Sequence, residues 1–252
     1  MARYFKIGLI VTGKGEAQFL PVFLRSLTTA GNCHFRVLRW VGQRSPRSAA
    51  PAPLGVVGRP SLRVPTKDEE EIGLPAWRHL ASDEAALVLV IDDLEHARRD
   101  LRAAVFERYR LALDVSLGPH HTRAAVYFLV NMIEAYYFAD ARALREVLGL
   151  VIEDHAGDVE EIRHPKNRLK ELAPGFDEIR DGAQIVGRLD LEHVLGDPTT
   201  CGALRSLFAW CVRKTGQPGG ARFCLSTGIY DAVTRHQSGN EHRSLVEPAL
   251  AQ

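Results

Sequence analysis

The sequence has no Cys-x-x-Cys pair, and its four cysteines, Cys33, Cys201, Cys211 and Cys224, are too widely spaced to suggest a thiolate zinc site. Free thiols in a reducing compartment are the expectation. No apolar run reaches membrane-spanning length. Met1 to Lys6 leads straight into a short apolar segment and lacks the long apolar region of a secretory leader. A cytoplasmic location without membrane association is therefore predicted. An excess of one charge sign is also missing: 32 Lys+Arg stand against 31 Asp+Glu, a formal net charge of +1. Any contact with nucleic acid must then come from a local basic patch. No internal repeat is visible. Gly13-Lys14-Gly15-Glu16 is not a phosphate-binding loop, because no Gly-Lys-Ser/Thr element follows.

What is present suffices for a sizeable core: 252 residues, 46% of them apolar. Compact apolar runs predict strands over 5–11, 35–41, 85–91 and 124–130. The 85–91 and 124–130 runs are apolar on both faces, as central parallel strands are. Helical spacing predicts a helix from Glu16 with Leu20, Phe23, Leu24 and Leu27 on one face. Pro21 is expected to shift or bend it. A helix opening on the acids of 68–71 runs toward Leu80, another spans 97–117 with Leu101, Val105, Tyr109 and Ala112 inward, and another spans 133–147. Alternating strands and helices define an α/β fold: a doubly wound, mostly parallel sheet with helices on both faces.

The predicted organisation is an α/β core over 1–149, a smaller helical subdomain over 150–214 and a poorly ordered or peripheral tail over 215–252. The best helix of the subdomain is 201–214, with Leu204, Leu207, Phe208 and Val212 on one side. The proline-rich stretch 44–65 reads as a long irregular loop overhanging the carboxyl edge, its arginines available to phosphates.

Ligands of open parallel sheets bind beyond the carboxyl ends of the strands. Three strand ends here lead to acids: Glu16, Asp92-Asp93-Leu94-Glu95 and Glu134. Crowded carboxylates cost free energy unless a cation or proton offsets them, and hard oxygen donors suit Mg²⁺ or Mn²⁺. Each acid also has a plainer reading. Glu16 suits the amino end of its helix, Asp92 and Asp93 suit helix capping, and Glu134 suits a surface position or an arginine partner. His120 and His121 read as a polar turn. His164-Pro165-Lys166-Asn167-Arg168 reads as a basic turn at a helix start, suited to phosphate or to solvent.

Three segments together resemble the Toprim pattern: VTGKGEAQFLPVFLRSL its strand-Glu-Gly opening, LVLVIDDLE its Asp-x-Asp strand, and NMIEAYYFAD the Glu-Ala-Trp-type segment of a bacterial Toprim-like group, domain-of-unknown-function family 4276. HPKNRLKEL and the stretch from Ile185 to Cys211 are similar to the parts that follow in that group, so the resemblance covers most of 4–214. It implies a Toprim fold, a Mg²⁺ or Mn²⁺ site and nuclease chemistry on nucleic acid, in antiphage defence beside an ATPase partner. Glu16, Asp92, Asp93 and Glu134 would be the catalytic acids, with Glu95 joining them as a metal ligand. Lys14, Lys166 and Arg168 would meet substrate phosphates. The chain departs from the pattern at Thr12, where the family carries its leading acid, and in its Asp92-Asp93-Leu94-Glu95 spacing. The alternative is a catalytically degenerate module that binds nucleic acid or a partner protein.

Overall fold

The computed structural model describes residues 3–29, 32–46 and 65–217. Among these, four strands form one all-parallel sheet: β1 (Phe5–Val11), β2 (Cys33–Trp40), β3 (Ala86–Leu94) and β4 (Ala124–Val130), in the order β2-β1-β3-β4. The two most apolar segments, β3 and β4, are buried along their whole length. They sit where both faces are covered, which explains their lack of polar alternation. β3 and β4 pair Val88 with Ala124 through Leu94 with Val130.

Side chains alternate across the sheet, and each set packs its own layer. Leu9, Val11, Leu89, Ile91, Tyr127 and Leu129 face one core; Ile10, Val88, Val90, Val126 and Phe128 face the other. The first core is covered by α1 (Lys14–Phe23) and α2 (Arg25–Thr29). The opposite core is covered by α3 (Leu74–Ala81), preceded by a π-helical turn over Glu69–Gly73, and by α4 (Arg102–Leu117). The first core also takes α5 (Ala141–Leu148), α6 (Pro165–Leu172), α7 (Arg180–Arg188), α8 (Leu191–Val194) and α9 (Gly202–Thr215). Helices therefore lie on both faces, as a doubly wound fold requires. No helix among the described residues is long and apolar enough to cross a membrane.

Several boundaries differ from expectation. Pro21 lies inside α1, which stops at Phe23, and α2 restarts at Arg25 rather than continuing to Leu27 in one helix. Proline donates no N–H and crowds the preceding turn. The segment expected as one helix over 133–147 is a 3-10 helix (Ile133–Ala139) followed by α5, where the Asp140 carboxylate accepts from the Ala143 N–H as an N-cap. A 3-10 turn, His96–Leu101, precedes α4, and Leu101 is exposed rather than inward. The helices of the 150–214 segment pack on the sheet: Leu169, Ile185, Leu204, Phe208 and Trp210 join its first core.

Most of the expected 44–65 loop lies outside the described residues. Its first arginine, Arg44, is buried and paired with Asp68 (3.0 Å) and Glu71, so it serves the fold rather than a phosphate. Most of the expected tail also lies outside the described residues, but its start is packed: Gln217 donates to Leu27 O and Asn32 Oδ1.

Candidate functional site at the carboxyl edge

The strand that carries the two aspartates runs three residues further than its apolar run. Because Asp92 and Asp93 are inside β3, they point to opposite faces of the sheet. Asp92 is fully buried, and both its oxygens are occupied. Oδ1 accepts from Thr12 Oγ1 (2.8 Å) and Arg98 Nη1 (3.1 Å). Oδ2 accepts from Arg98 Nη2 (2.7 Å) and the Tyr109 hydroxyl (2.9 Å). Arg98 also donates to the carbonyls of Asp93 (2.9 Å) and Arg44 (2.7 Å). The residue that leads the sequence-based site is thus a buried, fully satisfied ion pair, which leaves it no lone pair directed at a metal. Arg98 and Tyr109 carry no signal for this role in the sequence.

Thr12 explains why the arrangement holds together. Its hydroxyl donates to Asp92 and accepts from the Asp93 N–H (3.2 Å), and its carbonyl accepts from Trp40 Nε1 (3.2 Å). An acid here would face Asp92 directly. With Thr12 in this position, the buried charge on Asp92 is offset by Arg98 instead.

Asp93 has the opposite environment. It is 6% exposed, and its Oδ1 has no partner. Burial raises its proton affinity well above the ordinary aspartate range, and Glu16, Glu134, Asp92 and Glu95 add to the rise. Glu16 and Glu134 are buried too, and Glu134 Oε2 is unpartnered. Burial raises both; their own backbone N–H groups and Lys166 pull the other way. The Glu16 carboxylate folds back over Gly13, where an added Cβ would lie 1.7 Å from Oε2, so a side chain at this position would displace the carboxylate. Tyr137 is buried beside them, and its hydroxyl is held protonated by burial and by the charges of Glu134 and Glu16. Three strand ends thus bring Glu16, Asp93 and Glu134 into one electrostatic neighbourhood with Lys166.

The remaining sequence-based residues separate. Lys14 is exposed in the first turn of α1. Arg168 lies over the Phe138 ring, 5.2 Å from its centroid. Lys166 pairs with Glu178 (2.9 Å) while acting on the acids. Glu95 is exposed and lines a cavity of ≈ 210 Å³ together with His96, Asn131, Arg163, His164 and Lys166. The sequence singled out the His164–Arg168 turn but not Arg163 or His96.

The donor set suits a hard divalent cation in chemical kind: three carboxylates, two of them with unpartnered buried oxygens. Their present side-chain positions do not supply a ready cage. Among the described residues, no three His, Cys, Asp or Glu side chains are grouped closely enough to hold one ion. Binding would require the longer Glu16 and Glu134 side chains to rotate toward Asp93. No family model, no curated protein and no solved structure matches this chain.

Proposed function

We propose that the chain is a Mg²⁺- or Mn²⁺-dependent phosphodiesterase acting on nucleic acid, of the Toprim-like type its sequence resembles. The observation that carries this reading is the buried trio Glu16, Asp93 and Glu134, with two unpartnered carboxylate oxygens beside Lys166. Buried like charges demand a counter-charge, and a divalent cation would supply it while polarising a phosphodiester. Asp93, fixed on the sheet, would be the anchoring ligand, with Glu16 and Glu134 closing on it. Lys166 is placed to hold a phosphate oxygen. Asp92 positions Thr12 and the adjoining backbone through Arg98 and is not a ligand in this reading.

One observation favours a second reading, a catalytically degenerate module that binds nucleic acid or an ATPase partner. Thr12 occupies the place of the family's leading acid and is committed to holding Asp92. Metal-titrated cleavage of single- and double-stranded DNA and RNA, with and without the partner ATPase, decides between them. Cleavage that depends on Mg²⁺ or Mn²⁺ and is lost in Asp93→Asn supports the enzyme. Absence of cleavage, with nucleic-acid binding retained, supports the module.

A further inference from the structure

The strand order dictates what lies along the carboxyl edge. From one side to the other come the end of β2 with Trp40, the end of β1 with Thr12 and Glu16, the end of β3 with Asp93, and the end of β4 with Asn131 and Glu134. Neighbouring strands are about 4.8 Å apart, so this row extends roughly 15 Å, a few nucleotides of extended chain. The two ends of the row differ in chemistry. At the β2 end, Trp40 is 58% exposed although a hydrogen bond from its Nε1 to Thr12 O fixes the indole beside the site. Trp40 is paired in register with Val11, which places it on the same face of the sheet as the acid trio. Arg39, next to it in sequence, and Lys14, which follows the end of β1, are exposed, and among the described residues neither makes an ion pair. At the β4 end, the ≈ 210 Å³ cavity carries Arg163, Lys166, His96 and His164 around the first turn of α6, with Glu95 as its acidic member. Among the described residues Arg163 also makes no ion pair.

We propose that a single-stranded polynucleotide lies across this edge, with one base stacked on Trp40, the reacting phosphodiester over Glu16, Asp93 and Glu134, and a neighbouring phosphate in the Arg163–Lys166 cavity. An exposed, pinned indole offers its π-face to a base, and bases of a single strand are free to stack on it. In a duplex those base faces are already stacked. Cations at the far end of the row offer a counter-charge to a further phosphate of the chain. This inference rests on the nucleic-acid reading above and adds the strandedness and path of the substrate.

The test is binding of short oligothymidylate and oligouridylate strands, and of a duplex of equal length, to the full chain in EDTA, so that cleavage plays no part. The single strands are expected to bind more tightly than the duplex and to quench tryptophan fluorescence. Trp40→Phe should keep the affinity and lose most of the quenching; Trp40→Ala should weaken single-strand binding about tenfold. Arg163→Gln should weaken it as well and lower the log–log salt slope by roughly 0.7. Duplex binding as tight as single-strand binding overturns the proposal. So does unchanged affinity in Trp40→Ala, or a dimer in sedimentation that buries Trp40. If Trp40→Ala fails to fold, the quenching lost or kept in Trp40→Phe decides. Metal-dependent cleavage without single-strand preference sinks this inference alone; single-strand binding without cleavage sinks the enzyme reading alone.

Discussion

At the residue scale, two adjacent aspartates with the same sequence context have opposite physics. Asp92 is neutralised by Arg98 at 2.7 Å and saturated by Thr12 and Tyr109. Removing one partner of a buried pair leaves the other charge uncompensated, which costs about 3–5 kcal/mol. Asp92→Asn is therefore expected to destabilise the protein by about 3 kcal/mol, read as a lower urea midpoint at unchanged slope. Any loss of activity in that variant has to be corrected for unfolding. Asp93 behaves in reverse. Its folded proton affinity is raised by burial, then by Glu16 and Glu134. A carboxyl raised in this way favours the fold while protonated, below its unfolded value, and that contribution is lost as pH rises through the folded value. Asp93→Asn should thus stabilise the protein by about 1 kcal/mol at neutral pH and by nothing in acid, the difference growing as pH rises. Melting curves of both proteins across the acid-to-neutral range check it. Saturating Mg²⁺ should raise the melting temperature of the wild type and not of Asp93→Asn. Thr12→Glu, which places an acid where the Toprim pattern carries one, would bring a new carboxylate against buried Asp92, so it is expected to cost stability before it can add activity.

At the scale of elements, the amino end of α9 is held by a group on another segment. The Glu160 carboxylate accepts from the Ala203 N–H (3.0 and 3.1 Å) and the Tyr136 hydroxyl (2.9 Å), and burial pushes it up to about 8. Its protonated form favours the fold, so stability should fall as pH rises from the ordinary glutamate range to about 8 and level off above. Glu160→Gln should flatten that part of the profile, while Glu160→Ala should cost about 2–3 kcal/mol by orphaning the donors of α9. Chemical denaturation at stepped pH separates the two. The parallel strands were legible in the sequence because β-branched and aliphatic runs buried on both faces have few other fates. The helix break at Leu24 and the Asp140 cap were legible only in outline, since apolar spacing continues across both. The acid edge was legible as a place. Its division between Asp92 and Asp93 was not, because it depends on β3 running on to Leu94, beyond the apolar run. Arg98 and Tyr109 lay hidden for a related reason: a helix residue that turns back to a strand end leaves no local pattern.

At the scale of the whole molecule, the C-terminal helices are a wall of the sheet rather than an appended unit. Trp210 of α9 meets Tyr127 of β4 edge-on, with ring centroids 6.4 Å apart, and Phe208, Leu207 and Leu204 join the same core. Lys166 of α6, which acts on the acid trio, comes from this wall as well. Loss of the wall would expose the face of β1, β3 and β4 that carries Leu9, Leu89, Ile91, Tyr127 and Leu129, at about 1.5–3 kcal/mol for each large side chain returned to water. Over these five side chains the loss is about 8–15 kcal/mol, as large as the whole 5–15 kcal/mol by which domains are ordinarily stable. A chain cut after residue 149 is therefore expected to lack a cooperative melt and to bind a hydrophobic dye. The full chain should unfold in one transition seen alike by far-ultraviolet dichroism and by the fluorescence of buried Trp210. Two separated transitions, or a folded 1–149 fragment, would restore the two-unit organisation expected from composition and make Lys166 an addition to a site that the sheet completes alone.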